Sequence, residues 1–193
     1  MDFLYWLQNY RTPFWDQFFI FCNFLDRIEF FLILIPIVWV VYGWKWGLRL
    51  FYLMNISRTV SLLLKMVFAI PRPFVQDPSL ALVHPGGYSF PSGGAQTGML
   101  LALVIFSTWK TSLRWYVGAF FCLLISFSRL YLGVHVPYDI LGGWVAGFFV
   151  WLIFYYIFPL IEKKLSAFRK EHLLIMGIVA PWAFLGIAPS FSI

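Results

Sequence analysis

The amino-acid sequence predicts an all-α fold: a polytopic membrane bundle of six transmembrane helices, preceded by an interfacial amphipathic helix. The 193-residue chain is 62% hydrophobic and only 11% charged, whereas a water-soluble domain usually carries about 25% charged residues. Several apolar runs approach the roughly 18 residues that are typical of a membrane helix. The basic residues also fall in alternate loops, as they do in membrane proteins. We therefore expect a single membrane domain over residues 1–193.

An aromatic N-terminal segment precedes six apolar segments. Residues 14–25 are too short to span a membrane, so they predict a helix that lies in the interface. No basic region with a small-residue cleavage site is visible at the N-terminus, so we expect the first helices to act as the insertion signal. The predicted spans are residues 28–43, 49–70, 92–109, 115–131, 138–158 and 172–189.

Basic residues in three predicted loops set the expected orientation. All three loops fall on one face, which the positive-inside rule makes cytoplasmic; they contain Lys45 and Arg49, Lys110 and Arg114, and Lys163, Lys164, Arg169 and Lys170. The loops at 71–91 and 132–137 then face the outside. This topology also accounts for the net charge of +6 without a nucleic-acid partner. We expect a bacterial inner membrane protein whose site faces the periplasm or exterior.

Small residues in apolar surroundings predict packing rather than chemistry. Cys22 and Cys122 make no disulfide framework, and both are expected to be small buried side chains. Gly143 and Gly147 are four residues apart, a spacing that allows two membrane helices to approach closely.

Three cations lie at the outer ends of predicted helices. Lys65 ends the second span, Arg72 follows Pro71, and Arg129 ends the fourth span. Any one of them alone could be a side chain that reaches the membrane surface or interacts with a helix C-terminus. Because charged groups at membrane depth are costly and tend to be functional, three on one face indicate an anion site.

The third span opens on the same face with Ser92, Gly93 and Gly94. An ordinary serine N-cap would explain the serine alone, but a helix N-terminus beside three cations predicts binding of a tetrahedral dianion such as phosphate.

His135 precedes the fifth span and Asp139 lies in its first turn, with Pro137 as a plausible first helical residue. A carboxylate on one imidazole nitrogen leaves the other free to attack.

These residues resemble the type 2 phosphatidic acid phosphatase superfamily, which includes membrane lipid phosphatases and vanadium haloperoxidases. Its first motif is a lysine, six further residues and Arg-Pro, and its second is Pro-Ser-Gly-His. The third is Ser-Arg, five further residues, a histidine, three further residues and an aspartate. Residues 65–139 of this chain keep every one of these spacings. The resemblance implies that His135 is the nucleophile that forms a phosphohistidine and that Asp139 orients it. It also implies that no metal or other cofactor is needed. The implied phosphate-binding residues are Lys65, Arg72, Ser92, Gly93, Gly94 and Arg129.

One position departs from the superfamily pattern, because Gly94 replaces the histidine that protonates the leaving oxygen. Loss of a general acid commonly lowers the rate by about 10²–10⁴-fold. A phosphate leaving group, as from a polyprenyl diphosphate, is stable as an anion and needs no acid. Alternatively, the acid is His84, which lies in the predicted outer loop at residues 71–91 (the outer loop). Tyr88 in the same loop is a weaker candidate, because a reference pKa of about 10 is high for an acid at neutral pH.

The expected function is hydrolysis of a membrane lipid phosphate or polyprenyl diphosphate at the outer face. Two alternatives stay open: transfer of the phosphoryl group from His135 to another lipid, and non-catalytic binding of a lipid phosphate. Retention of both His135 and Asp139 at the superfamily spacing favours chemistry over binding alone.

Overall fold

The computed structural model describes residues 2–165, and all the regular secondary structure in that range is helical. Two 3-10 turns, Asn23–Asp26 and Pro78–Leu80, accompany eight α-helices there. The helices are α1 Asp2–Gln8, α2 Pro13–Cys22, α3 Ile28–Tyr42, α4 Trp44–Phe68, α5 Pro73–Gln76, α6 Gly93–Thr108, α7 Leu113–Tyr131 and α8 Pro137–Leu165. The chain forms two compact units, residues 1–151 and 152–193. The described part of the second unit is the end of α8.

Five of the six predicted spans are helices at close to the predicted positions. Three are long and apolar enough to cross a membrane: Trp44–Phe68, Leu113–Tyr131 and Pro137–Ile161. At most a third of the apolar window of each helix is buried inside the structure, as expected where helices face lipid. Helices α3 and α6 have 15 and 16 residues, or about 22–24 Å at 1.5 Å per residue, against a hydrocarbon core of about 30 Å. The predicted span at 172–189 lies outside the described residues, as do Arg169 and Lys170 of the predicted loop before it. The prediction of six spans is therefore not confirmed.

The predicted first loop is wrong, because Lys45 and Arg49 lie on α4. Gly43, at φ +93°, ends α3, and α4 begins at the next residue. The two cations lie over the indole rings of their neighbours, Lys45 at 5.7 Å from Trp44 and Arg49 at 5.2 Å from Trp46. Cation–π contacts of this kind allow basic side chains to sit on a helix beside aromatic residues. Helix α8 likewise extends through the start of the predicted fifth loop to Leu165.

Two glycines of α8 bring this helix against the backbone of α6. A Cβ atom on Gly143 would lie 2.5 Å from the carbonyl oxygen of Ser92, and one on Gly147 would lie 2.8 Å from that of Gln96. Neither position has room for a side chain, so the predicted small-residue contact is confirmed. The contact holds the start of α6 beside the start of α8.

The N-terminal segment packs against the end of α7. Its core joins Leu7 of α1 and Phe19 of α2 to Tyr131, with the Phe19 and Tyr131 rings 4.4 Å apart. The opposite side of α2 exposes Phe14 and other aromatic side chains. Helix α2 corresponds to the predicted interfacial helix, whereas α1 was not predicted. Cys22 and Cys122 are both buried and free, as expected.

A tight turn after α7 positions the segment that carries His135. Gly133 has φ +70°, and a Cβ atom there would lie 1.8 Å from the carbonyl oxygen of Leu80. Only glycine fits such a left-handed, close-packed position. The amide of Leu82 also donates to the carbonyl of Leu132 at 3.1 Å. The outer loop is therefore bonded to the turn that leads to His135.

Candidate active site

His135 and Asp139 form a buried pair at the start of α8. Pro137 is the first residue of that helix, as predicted, so Asp139 lies in its first turn. Nδ1 of His135 is 3.3 Å from Oδ2 of Asp139, and the exposed fractions of the two residues are 3% and 2%. The amide of Val136 donates to the same carboxylate oxygen at 2.9 Å. These contacts hold the carboxylate against one nitrogen of the imidazole.

The other imidazole nitrogen contacts Arg72. Nη1 of Arg72 is 3.3 Å from Nε2 of His135. Because a guanidinium can only donate, Nε2 must be the unprotonated nitrogen and Nδ1 must carry the proton. Burial lowers the pKa of His135; its hydrogen bond with Asp139 opposes this shift, and the charges of Arg72 and Lys65 add to it. The imidazole is therefore neutral at pH 7, with Nε2 unprotonated and Nδ1 protonated.

Arg72 is held by the glycine-rich part of the outer loop. Its guanidinium donates to the carbonyls of Gly87 at 3.0 Å and Gly86 at 3.1 Å. Burial lowers the pKa of Arg72 to about 10, and the charge of Arg129 adds to the shift. Arg72 therefore still carries its charge at neutral pH, beside Nε2 of His135.

Lys65 approaches the same loop from α4. The helix ends three residues later, at Phe68, where Ala69 adopts a left-handed conformation and donates its amide to the carbonyl of Lys65. The ammonium group of Lys65 donates to the carbonyls of Tyr88 at 2.6 Å and Ser89 at 3.0 Å. This contact brings the lysine to the segment that precedes the Ser92 turn.

Ser89 is a site residue that the sequence analysis missed. Its hydroxyl donates to Oδ2 of Asp139 at 2.5 Å and lies 3.3 Å from Nδ1 of His135. The side chain is only 1% exposed, and its amide donates to the carbonyl of Ile70 at 2.7 Å. The sequence feature that could have identified Ser89 as a site residue is its position three residues before the N-cap residue Ser92. Ser89 links the outer loop directly to the histidine–aspartate pair.

Ser92 caps α6 as predicted and connects it to α8. Its hydroxyl accepts from the amide of Ala95 at 3.4 Å, and its own amide donates to the carbonyl of Asp139 at 3.0 Å. Gly93 and Gly94 are the first residues of α6, where amides have no intrahelical acceptor. The turn therefore places a positive helix end beside the histidine–aspartate pair.

Arg129 lies against Gly94 and is 6% exposed. Its Nη1 donates to Oδ1 of Asn23 at 2.5 Å and is 3.7 Å from Oδ2 of Asp26. Its Nε and Nη2 are buried and have no hydrogen-bond acceptor among residues 2–165. Buried donors without acceptors are costly, so this guanidinium is suited to an incoming anion. Neither Asn23 nor Asp26 is predicted as a site residue from the sequence, although an aspartate within an apolar segment is a signal of function.

His84 stays a prediction as the substitute acid. It is exposed, and its ring packs edge-on against Phe74 at 5.1 Å between centroids. Tyr88 is exposed as well, and its carbonyl accepts from Lys65. The described contacts join the other predicted site residues to one another but do not bring either of these side chains to His135.

The sequence from residue 46 to residue 163 matches the PAP2 superfamily. The chain therefore belongs to this superfamily, as the spacing of its motifs predicts. Relatives are named as phosphatases. The undecaprenyl-diphosphatase of Sulfolobus acidocaldarius is 35% identical over 108 residues, which are 53% of this chain and 50% of that protein. The lipid A 4'-phosphatase of Bacteroides thetaiotaomicron is 26% identical over 182 residues, 85% of this chain and 79% of the relative. The match thus spans half the length of the Sulfolobus relative.

Two crystal structures share the fold. The PAP2-type phosphatidylglycerolphosphate phosphatase of Bacillus subtilis superposes with a TM-score of 0.69 at 23% identity, over 87% of this chain and 86% of that one. LpxE of Aquifex aeolicus also gives a TM-score of 0.69, at 25% identity, over 79% of this chain and 92% of that one. Both likenesses extend well beyond the motif region.

Proposed function

We propose that the protein is an integral membrane phosphatase that hydrolyses a polyprenyl diphosphate or a related lipid phosphate through a phosphohistidine on His135. The observation that carries this proposal is the neutral, Asp139-bonded His135 whose unprotonated nitrogen is 3.3 Å from Arg72. A mere anion-binding site needs the cations but not an oriented nucleophile.

The first step forms a bond between Nε2 of His135 and phosphorus. The bond from phosphorus to the leaving oxygen breaks, and its electron pair departs with that oxygen. Asp139 stabilises the positive charge that develops on the imidazole, while Arg72, Lys65, Arg129 and the amides at the start of α6 stabilise the phosphoryl oxygens. Phosphoryl transfer depends mainly on such positioning and charge stabilisation.

The second step hydrolyses the phosphohistidine. Water attacks phosphorus, the phosphorus–nitrogen bond breaks, and its electron pair returns to Nε2. The products are inorganic phosphate and the free enzyme. A diphosphate suits a site with glycine at position 94, because its leaving phosphate is stable as an anion. The name of the Sulfolobus relative agrees with this class of substrate.

The arrangement of α6 and α7 supports a site at the outer face. Both helices have one end at the site, where α6 begins at Gly93 and α7 carries Arg129 near its last residue. Their other ends meet near Lys110 and Arg114. Since basic residues favour the cytoplasmic side, the site end is proposed to face the periplasm or exterior of a bacterial inner membrane.

Non-catalytic binding of a lipid phosphate is the second candidate function. Gly94 lacks the usual acid, while the buried, unpaired nitrogens of Arg129 would hold an anion without turnover. Phosphoryl transfer to another lipid uses the same residues as hydrolysis, so only an added acceptor lipid separates those two.

Phosphate release by the purified protein tests the proposal. The substrates are phosphatidic acid and a polyprenyl diphosphate, each supplied with wild type, His135→Ala and His84→Ala. We expect release from the diphosphate that His135→Ala abolishes and His84→Ala retains. Wild-type protein that binds the lipid without releasing phosphate would contradict hydrolysis and favour binding. Loss of activity in His84→Ala would place the acid in the outer loop.

A further inference from the structure

The space beside Gly94 is already filled by two charged side chains. A Cβ atom on Gly94 would lie 2.8 Å from Nε of Arg129 and 3.0 Å from Oδ2 of Asp26. Real Cβ atoms essentially never come closer than 3.0 Å to other atoms, so a side chain at position 94 would require the Arg129 side chain to shift and the Asp26 carboxylate to move by a few tenths of an ångström. The superfamily pattern has its proton-transfer histidine at this position. In this chain a carboxylate oxygen lies 3.0 Å from the point where that side chain would begin.

Asp26 belongs to the N-terminal segment rather than to the motif region. It ends the 3-10 turn Asn23–Asp26, directly after α2. The Asn23 side chain, three residues earlier, accepts from Nη1 of Arg129 at 2.5 Å, and Oδ2 of Asp26 is 3.7 Å from the same nitrogen. Two contacts from one turn therefore hold the carboxylate against Arg129.

The Asp26 side chain is open to water while facing the charged groups of the site. Its exposed fraction is 23%, against 7% for the side chain of Arg129. The charged groups that interact with it are Arg129 from α7, Lys65 from α4 and Arg72 from the start of α5. The carboxylate thus has an accessible side at the edge of the proposed phosphoryl site.

We propose that Asp26 is the proton acceptor for the second step of hydrolysis. This inference rests on the proposed hydrolase function. The oxygen of a water molecule bonds to phosphorus, the phosphorus–Nε2 bond of the phosphohistidine breaks with its electrons returning to nitrogen, and the water proton passes to Oδ2 of Asp26. The proton then leaves to solvent from the exposed side of the carboxylate.

The chemistry of a charged carboxylate favours this step over protonation of the leaving group. An ionised carboxylate paired with arginine offers acceptor oxygens but no proton to donate. Removal of a proton from attacking water needs such an acceptor. The first step needs no acid when the leaving group is phosphate. A diphosphate substrate therefore needs no histidine at position 94 in the first step, and Asp26 provides a proton acceptor in the second.

The test separates the two chemical steps with a polyprenyl diphosphate labelled at the terminal phosphate. Formation of the acid-labile, labelled phosphohistidine and steady-state phosphate release are measured for wild type, Asp26→Asn, Asp26→Glu and Glu29→Gln. Glu29 is the matched control, because it lies three residues later and its carboxylate also pairs with an arginine, Arg27, at 3.0 Å, but on the exposed surface.

We expect Asp26→Asn to release phosphate about 100-fold more slowly, within the range for loss of a general base, while labelled phosphohistidine accumulates above the wild-type level. Asp26→Glu should recover part of the rate, and Glu29→Gln should match wild type. Accumulation of the label also shows that the variant is folded and has lost only the second step.

Two results would overturn the inference alone. One is a wild-type rate in Asp26→Asn. The other is an equal loss of phosphohistidine formation and of phosphate release, which would make Asp26 a positioning residue for Arg129. A wild-type protein that forms no phosphohistidine and releases no phosphate would instead overturn the proposed function, and this inference with it.

Discussion

Replacing Ser89 by alanine tests whether the outer loop holds the histidine–aspartate pair in its working geometry. The hydroxyl donates to the Asp139 carboxylate at 2.5 Å and is 1% exposed. A hydrogen bond to a charged group contributes about 1.5–3 kcal/mol. We expect Ser89→Ala to lower the free energy of unfolding by about this amount, because the buried carboxylate loses a donor that water cannot replace.

The same substitution should lower kcat more than it raises KM. In the proposed mechanism the Asp139 carboxylate interacts with an imidazole that gains positive charge as phosphorus is attacked, so correct orientation matters most in the transition state. If the full hydrogen-bond energy is lost there, kcat falls by about 10–100-fold, since 1.36 kcal/mol corresponds to a factor of ten. The hydrogen bond from Lys65 to residue 89 should remain in the variant, because Lys65 contacts the backbone carbonyl of Ser89 rather than the hydroxyl.

Ser79→Ala provides the matched control for Ser89→Ala. The Ser79 hydroxyl donates to Asp77 at 2.7 Å in the same serine–aspartate chemistry, but on the exposed surface. Exposed substitutions usually change stability by less than about 0.5 kcal/mol. The measurements are unfolding in detergent and phosphate release at varied substrate concentration. Equal behaviour of the two variants would refute the assignment of Ser89 to the site.

Two further predictions follow from burial. Gly143→Ala should destabilise the protein by about 1–3 kcal/mol and slow phosphate release, because its Cβ would lie 2.5 Å from the carbonyl oxygen of Ser92. The control is Gly86→Ala, whose Cβ meets nothing within 4 Å. Equal thermal midpoints for the two variants would contradict the packing argument. Burial lowers the pKa of His135, so the unfolded state binds the proton first and stability should fall as pH decreases below about 6.5, by at most about 1.4 kcal/mol per pH unit. His135→Ala should remove that slope in pH-dependent unfolding, and an unchanged slope would assign it to other groups.

The motif residues could be predicted from sequence because local geometry relates their spacing to their position. A proline at the first position of α8 puts Asp139 within reach of His135 four residues earlier, and a serine before two glycines predicts the N-cap of α6. The apolar segments likewise predicted five helices in the described region. Such features depend on neighbours in the chain, so a single sequence suffices to predict them.

The remaining site residues depend on contacts between distant parts of the chain. Ser89 meets Asp139 across 50 positions, and Asn23 meets Arg129 across 106. Periodicity and motif spacing carry no information about which loop will pack on which helix end. Helix α1 escaped prediction for a similar reason, because its seven residues are stabilised by Leu7 packing on the end of α7 rather than by length or capping.

The crowding of Gly94 by Asp26 implies that the two positions change together during evolution. A carboxylate oxygen 3.0 Å from the site of a Cβ atom would have to shift by a few tenths of an ångström, so a histidine at position 94 is expected to disturb the contact between Asp26 and Arg129. Asp26 precedes residue 46, where the match to the superfamily begins. Within this lineage, glycine at the motif position should therefore occur with an acidic residue in the N-terminal arm, and histidine should occur without it.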